Sequence, residues 1–185
     1  MDRPRIGISR CLLGDEVRYD GGHRRDSFII DALAPHVEWV SVCPEVEVGM
    51  GTPREPIQLI ASTTGVPSGD HRVRLMGVSS GRDWTDAMDR WRRERVRDLE
   101  RANISGFVLK KNSPSCGPDN VAVVGGNEIA RSGRGLFAQA LIEALPDLPI
   151  EDEERLHDRV LRERFMERVV ARHEILRKQC LPNHA

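Results

Sequence analysis

The stretch Arg5-Ile6-Gly7-Ile8-Ser9, which leads directly into Arg10-Cys11-Leu12-Leu13-Gly14, decides the fold. The first five residues include β-branched side chains and predict a short strand, and the residues around Cys11 end it in a turn. Two later cysteines have the same context: Cys43 follows a predicted strand at 37–42, and Cys116 lies in the loop after a predicted strand at 104–109. Three predicted strands therefore each lead to a cysteine.

Helical patterns separate these strands. Asp26 or Ser27 can cap a helix that runs to about Leu33. Further helices are predicted at about 83–102, 136–145 and 153–179, a last short strand at 146–150, and a β-hairpin from the runs 56–60 and 73–76. Strands that alternate with helices predict an α/β fold with a mostly parallel sheet flanked by helices, Rossmann-like, with a C-terminal helix.

Composition favours one main domain in the cytoplasm. The chain has 185 residues and a formal net charge of -1, so no overall basic field indicates a nucleic-acid partner. The N-terminal residues lack the apolar core of a signal peptide and no apolar run is long enough to span a membrane, so no membrane partner is expected. In a reducing compartment the four cysteines favour metal binding or catalysis over disulfides.

Cys11, Cys43 and Cys116 are predicted to converge on one metal site. Loops that follow parallel strands meet at one edge of the sheet, so residues far apart in sequence can lie together there. Three thiolates suit either zinc completed by water or histidine, or a cubane iron–sulfur cluster with one iron open, and the spacing does not separate the two. Cys180 lies in the polar tail and is not expected to take part.

Several polar residues lie near these cysteines in the sequence. Glu45 is a candidate general base, although Glu47 competes with it on composition alone. Ser113 and Ser115 flank Pro114 and can hydrogen-bond a ligand or their own backbone. One of Lys110 and Lys111 is expected at the rim of the site, and Arg54, in a glycine- and proline-rich loop, can bind an anion or a carbonyl group. No pair of the six histidines has a metal-ligand spacing.

Five motifs in order resemble the TudS family of thiouracil desulfidases over about residues 3–150. They are Ser9-Arg10-Cys11-Leu12-Leu13-Gly14, Cys43-Pro44-Glu45, Gly49-Met50-Gly51-Thr52-Pro53-Arg54-Glu55-Pro56, Lys111-Asn112-Ser113-Pro114-Ser115-Cys116-Gly117 and Gly133-Arg134-Gly135-Leu136-Phe137. The resemblance implies an oxygen-sensitive [4Fe-4S] cluster held by Cys11, Cys43 and Cys116, with the fourth iron open. It also implies that sulfur is removed from a thiolated nucleobase or nucleoside, with catalytic roles for Glu45 and Ser113 and with Ser115 close by. Lys111 and Arg54 are then the expected substrate-binding residues.

The tail carries a second resemblance. Leu161-Arg162-Glu163-Arg164-Phe165-Met166-Glu167-Arg168-Val169 is similar to the opening of a partner domain in longer relatives that act on 4-thiouridine in tRNA. We therefore expect a desulfidase domain at 1–150 and a C-terminal helical extension at 151–185. The leading expectation is a non-redox conversion of thiouracil to uracil and hydrogen sulfide. The alternatives are a tRNA 4-thiouridine desulfidase, with tRNA as partner, and a non-enzymatic iron–sulfur redox sensor.

Overall fold

The structure, a computed structural model, describes residues 2–61 and 73–180 and contains a central parallel sheet. This sheet is formed by β1 (Arg5–Ser9), β2 (Glu38–Val42), β5 (Gly106–Leu109) and β8 (Ile150–Asp152) in the order β2-β1-β5-β8. Every neighbouring pair in it is parallel. The predicted α/β class with a mostly parallel sheet is thus confirmed, and the last strand begins where the prediction ended it.

A second, mixed sheet packs beside the first. Its strands are β3 (Ile57–Ala61), β4 (Val73–Gly77), β6 (Val121–Gly125) and β7 (Glu128–Gly133), in the order β4-β3-β6-β7. The predicted pairing of β3 with β4 is confirmed as antiparallel, while the turn expected between them lies outside the described residues. The β6–β7 hairpin was not predicted, because β7 is exposed along almost its whole length and has no alternating apolar pattern.

The helices are α1 (Ser27–Leu33), α2 (Pro44–Glu47), α3 (Thr85–Arg101), α4 (Leu136–Ala144) and α5 (Arg159–Cys180). Asp26 caps α1 as expected, since its Oδ1 accepts a hydrogen bond from the backbone N–H of Ile29 at 3.0 Å. The last helix starts later than predicted: a 3-10 turn at Arg155–His157 precedes it, and Asp158 Oδ1 accepts the N–H of Leu161 at 3.0 Å. Within the described ranges, no helix is long and apolar enough to cross a bilayer.

Helices cover both faces of the parallel sheet. On one face Phe107 of β5 packs with Leu99 of α3 and Phe137 of α4, all fully buried. Gly7 of β1 lies directly against the ring of Phe107, and a Cβ at that position would overlap the ring. Position 7, in the middle of β1, therefore requires glycine, because the interior is packed too closely to accommodate an added carbon atom.

The C-terminal helix α5 covers the other face. Phe165 and Val169 are buried against Ile6 and Ile8 of β1. The apolar stripe expected at 156–175 is only partly buried: Leu156 lies in the same cluster, whereas the side chains of Val160 and Ile175 are 53% and 57% exposed. Residues of α5 and β1 therefore lie in one hydrophobic cluster, and the domain division expected at residue 150 stays a prediction.

We predict that Phe165→Ala lowers the free energy of unfolding by about 3–5 kcal/mol, because it empties a fully packed site between α5 and the sheet. Urea unfolding of the two proteins measures the difference. Ile175→Ala, on the exposed side of the same helix, is the control and should change stability by less than about 0.5 kcal/mol. Similar small losses in both variants would show that α5 is not part of the core.

Candidate functional site

The three predicted cysteines line one open cavity at the carboxyl ends of β1, β2 and β5. Its volume is about 320 Å³, within the range of small-molecule sites. The cavity wall also includes most of the other predicted site residues, namely Glu45, Arg54, Lys111 and Ser113. The convergence expected from the parallel sheet is what the structure shows.

Cys11 and Cys43 are held by short turns at the ends of their strands. Cys11 lies in a 3-10 turn at Arg10–Leu13 that ends at Gly14, whose φ of 107° suits glycine. Cys43 precedes α2, and its backbone N–H donates to Glu47 Oε1 at 3.0 Å. Glu47 also contacts Arg95 of α3 at 3.1 Å. Glu47, which the sequence left as a rival to Glu45, thus holds the Cys43 turn and is absent from the cavity wall.

The loop that carries Cys116 is fixed by the hydroxyl group of Ser113, which lies in the same loop, and by helix α4. Ser113 Oγ accepts hydrogen bonds from the N–H groups of Ser115 at 3.2 Å and Cys116 at 3.0 Å. The Ser115 carbonyl accepts the N–H groups of Phe137 and Ala138, which are in the first turn of α4. Gly135 lets the two segments touch, since a Cβ there would lie 2.5 Å from the Ser115 carbonyl carbon.

Ser113 and Ser115 therefore differ in position. Ser113 faces the cavity, whereas Ser115 is fully buried behind it and is not part of its wall. Within the described part of the chain, Ser115 Oγ has no hydrogen-bond partner. Its backbone joins the cysteine loop to α4, so its contacts support a role in holding Cys116, and a catalytic role for Ser115 stays a prediction.

Glu45 is held in the cavity wall by Arg54. Arg54 Nη2 lies 2.5 Å from Glu45 Oε2, and only 6% and 16% of the two side chains are exposed. The other terminal nitrogen of Arg54 donates to the carbonyl oxygens of Val17 at 2.9 Å and Gly51 at 2.8 Å. These contacts hold the Glu45 carboxylate in a fixed direction, and the predicted contact of Arg54 with substrate stays a prediction.

Both lysines after β5 reach the cavity, and each is paired with an acidic residue. Lys110 Nζ donates to Glu153 Oε1, while the backbone N–H of Lys111 donates to Glu153 Oε2 at 2.8 Å. Lys111 Nζ lies 2.6 Å from Glu154 Oε2. Glu153, which the sequence did not single out, therefore anchors the start of the loop. Its only signal in the sequence is its position after the last strand of the sheet.

Ser9 is a second residue that sequence reasoning missed. It is buried at the end of β1, lines the cavity and accepts the backbone N–H of Lys110 at 2.9 Å on its Oγ. Burial raises the pKa of the Cys116 thiol, and the nearby Ser9 hydroxyl partly opposes that rise. Ser9 therefore ties the first strand to the loop of the third cysteine, a contact that no local pattern in the sequence indicates.

Burial makes the three thiols poor acids. It raises the pKa of the Cys11 thiol to about 11, and the nearby Glu45 and Cys43 add to the increase. Burial likewise raises the pKa of Cys43 and, most strongly, that of Cys116. Free thiols of this kind stay protonated near neutral pH and are weak nucleophiles. They become thiolates when a metal replaces the proton, which suits metal ligands better than a cysteine nucleophile.

The arrangement of the thiols bears on the kind of metal. In residues 2–61 and 73–180, no three His, Cys, Asp or Glu side chains are placed to hold a single metal ion. The three thiols nevertheless share one cavity and interact electrostatically with one another. A cubane cluster binds each cysteine through a different iron, so its ligands surround a larger group than one ion. The donor set therefore fits an iron–sulfur cluster.

The fold and the site together define a class: an α/β protein whose parallel sheet presents three cysteines around an open cavity. A family model described as 2-thiouracil desulfurase matches residues 6–153. The chain belongs to this family of enzymes that remove sulfur from thiouracil.

The chain is also similar to two individual proteins. The chain is 34% identical over 152 residues to the uncharacterized protein YbbK of Bacillus subtilis (strain 168), an alignment that covers 80% of this chain and 98% of YbbK. It is also similar to a solved structure described as the [4Fe-4S]-dependent thiouracil desulfidase TudS. That match has a TM-score of 0.63 and 29% identity, and it covers 83% of this chain and 93% of the other.

We predict that Arg54→Gln destabilises the protein by about 3–5 kcal/mol, because it leaves the Glu45 carboxylate without its partner in a nearly buried site. Urea unfolding at neutral pH measures the loss. Arg159→Gln is the matched control: it breaks an exposed ion pair with Glu163 and should cost less than about 1 kcal/mol. Equal losses in the two variants would contradict the positioning role.

Proposed function

We propose that this protein is a thiouracil desulfidase in which Cys11, Cys43 and Cys116 hold a [4Fe-4S] cluster with one iron open to the substrate. The observation that carries the proposal is that the three thiols share one cavity with the Glu45 carboxylate. The family match and the similarity to a [4Fe-4S]-dependent desulfidase support the same chemistry. An open iron would supply a soft Lewis acid for the thiocarbonyl sulfur and draw electron density from its carbon.

In this proposal Glu45 acts as the general base. Its carboxylate takes a proton from the water that attacks the thiocarbonyl carbon, and Arg54 keeps the carboxylate pointed at that water. The carbon–sulfur bond then breaks, the ring keeps the oxygen, and the sulfur leaves as hydrosulfide. The overall reaction is thiouracil plus water to uracil plus hydrogen sulfide, so it consumes no electrons.

Ser113 supplies a hydrogen-bond donor. Its oxygen already accepts two backbone N–H groups, so its own O–H is the group that remains to be donated. Directed into the cavity, it can orient the ring or stabilise the negative charge that develops during the attack. Lys111, the other predicted substrate-binding residue, is paired with Glu154 at the cavity wall. Its contact with substrate stays a prediction.

The open cavity favours the enzyme over the redox sensor. A sensor needs no reactive side chains beside its cluster, whereas this open cavity also carries Glu45, Ser113 and Lys111. A tRNA substrate stays a prediction. A tRNA substrate would need basic side chains for its phosphate groups. Two arginines of α3 are used within the protein: Arg92 donates to the Leu136 carbonyl, and Arg95 contacts Glu47. Sulfide release that depends steeply on salt with thiolated tRNA, but not with the free base, would favour tRNA as the substrate.

We predict that Cys11→Ala abolishes both the brown absorption of the anaerobically reconstituted cluster and the release of sulfide from thiouracil, because one of three ligands is lost. Visible absorption, iron analysis and a sulfide assay measure the effects. Cys180→Ala is the control for the loss of a cysteine and should keep both properties. Full activity of Cys11→Ala would refute the proposed ligand set.

For the base we predict that Glu45→Gln keeps the cluster absorption but lowers the rate of the chemical step by about 10²–10⁴-fold, since the amide can still accept a bond from Arg54 but cannot take a proton. Single-turnover loss of thiouracil absorbance under anaerobic conditions gives the rate. An unchanged rate with an intact cluster would remove Glu45 from the base role.

A further inference from the structure

Most polar side chains in the cavity wall are already bound to other protein groups. Arg54 is engaged by Glu45, the two lysines by Glu153 and Glu154, and the Ser113 oxygen by two N–H groups of its own loop. Such groups can shape a site, but they have limited capacity to recognise the edge of a substrate ring. Recognition of that edge needs a donor and an acceptor that are both available.

The side-chain amide of Asn112 provides both an available donor and an available acceptor. It lines the cavity, its side chain is exposed, and within the described residues its amide makes no hydrogen bond. Its backbone has φ of 60°, a left-handed conformation that asparagine adopts more readily than most residues. The loop is fixed on both sides of it, by Glu153 at the Lys111 N–H and by the hydroxyl of Ser113. The amide is therefore carried by a rigid backbone at the mouth of the site.

Tyr19 offers the second kind of contact. It is the only tyrosine of the chain, it lines the same cavity, and it is 42% exposed. The Arg18 guanidinium lies 5.2 Å from the centre of its ring, and the Tyr19 carbonyl accepts the backbone N–H of Arg54 at 2.9 Å. An exposed aromatic ring beside a cavity can stack on a planar base.

We propose that Asn112 and Tyr19 form the nucleobase-recognition element of the cavity. The Asn112 amide oxygen accepts the N3–H of the pyrimidine, its NH₂ donates to the carbonyl oxygen beside N3, and the Tyr19 ring stacks on the base. This inference rests on the proposed function, since it assumes that a thiolated pyrimidine enters the cavity. Both 2-thiouracil and 4-thiouracil keep one N3–H and one neighbouring carbonyl, so the same contact serves either substrate.

The N3–H group of the pyrimidine can be blocked chemically, and this allows a selective test of the proposed hydrogen bonds. Methylation of N3 removes the donor and places a methyl group against the amide, so 3-methyluracil cannot form the paired hydrogen bonds. Uracil itself lacks the sulfur but keeps the edge. Binding of uracil and 3-methyluracil therefore probes recognition without any turnover, while sulfide release from thiouracil probes the proposed function separately.

The experiment is calorimetric titration of the anaerobically purified protein with uracil and with 3-methyluracil. We expect the wild-type protein to bind 3-methyluracil at least about tenfold more weakly than uracil, and Asn112→Gly to bind uracil about tenfold more weakly and to lose the preference. Glycine accepts a positive φ, so this variant removes the amide without straining the loop. In the sulfide assay, the decrease in kcat/KM caused by Asn112→Gly should come mainly from a higher KM.

Two comparisons make the result specific. Asn120→Gly replaces another asparagine with positive φ, 50°, which lies outside the cavity, and should keep the affinity for uracil. Tyr19→Ala should weaken uracil binding more than Tyr19→Phe, which keeps an aromatic ring. If Asn112→Gly keeps the wild-type affinity and preference, or the wild-type protein does not bind uracil, the recognition element is refuted. If uracil binds as expected but thiouracil yields no sulfide, the proposed function fails and the recognition element stands.

Discussion

The packing of β1 between β2 and β5 is the constraint on which the site depends. All three strands run in the same direction, so the chain leaves each of them at the same edge of the sheet. Ser9 joins β1 to the loop after β5 at this edge, because its hydroxyl accepts the Lys110 N–H. A change of register in β1 would displace Ser9 and Cys11 together and separate the cysteines.

Around this edge the protein places charges in pairs. Glu45 is held by Arg54 and Lys110 by Glu153, and each pair is largely removed from solvent. Buried ion pairs of this kind contribute little net stability, because the cost of removing charges from water offsets their attraction. Here the two ion pairs fix the orientation of the charged groups. They hold a carboxylate and an ammonium group in fixed positions beside the thiols, where flexible side chains would lose entropy on each binding event.

The division of work between neighbouring residues follows from the same geometry. Glu45 and Glu47 are two residues apart, yet one faces the cavity and the other holds the Cys43 turn against α3. Ser113 and Ser115 divide in the same way on the third loop. In each pair one member faces the cavity, where we propose that it takes part in the reaction, and the other helps to keep a cysteine in place.

The sequence by itself determined the α/β class, the strand that leads to each cysteine, and the set of motifs that marks the family. These features are local or repeated, and a strand of β-branched residues before a turn is readable without its neighbours. Only the tertiary structure decided that Glu45 rather than Glu47 faces the cavity, that Arg54 holds Glu45, and that Ser115 lies behind the wall. It alone also revealed Glu153 and Ser9, the second sheet, and the helix start at Arg159. The position of Ser9 depends on a contact with Lys110 about a hundred positions away, and that of Glu153 on contacts with Lys110 and Lys111 more than forty positions away. Such contacts leave no periodic trace in the chain.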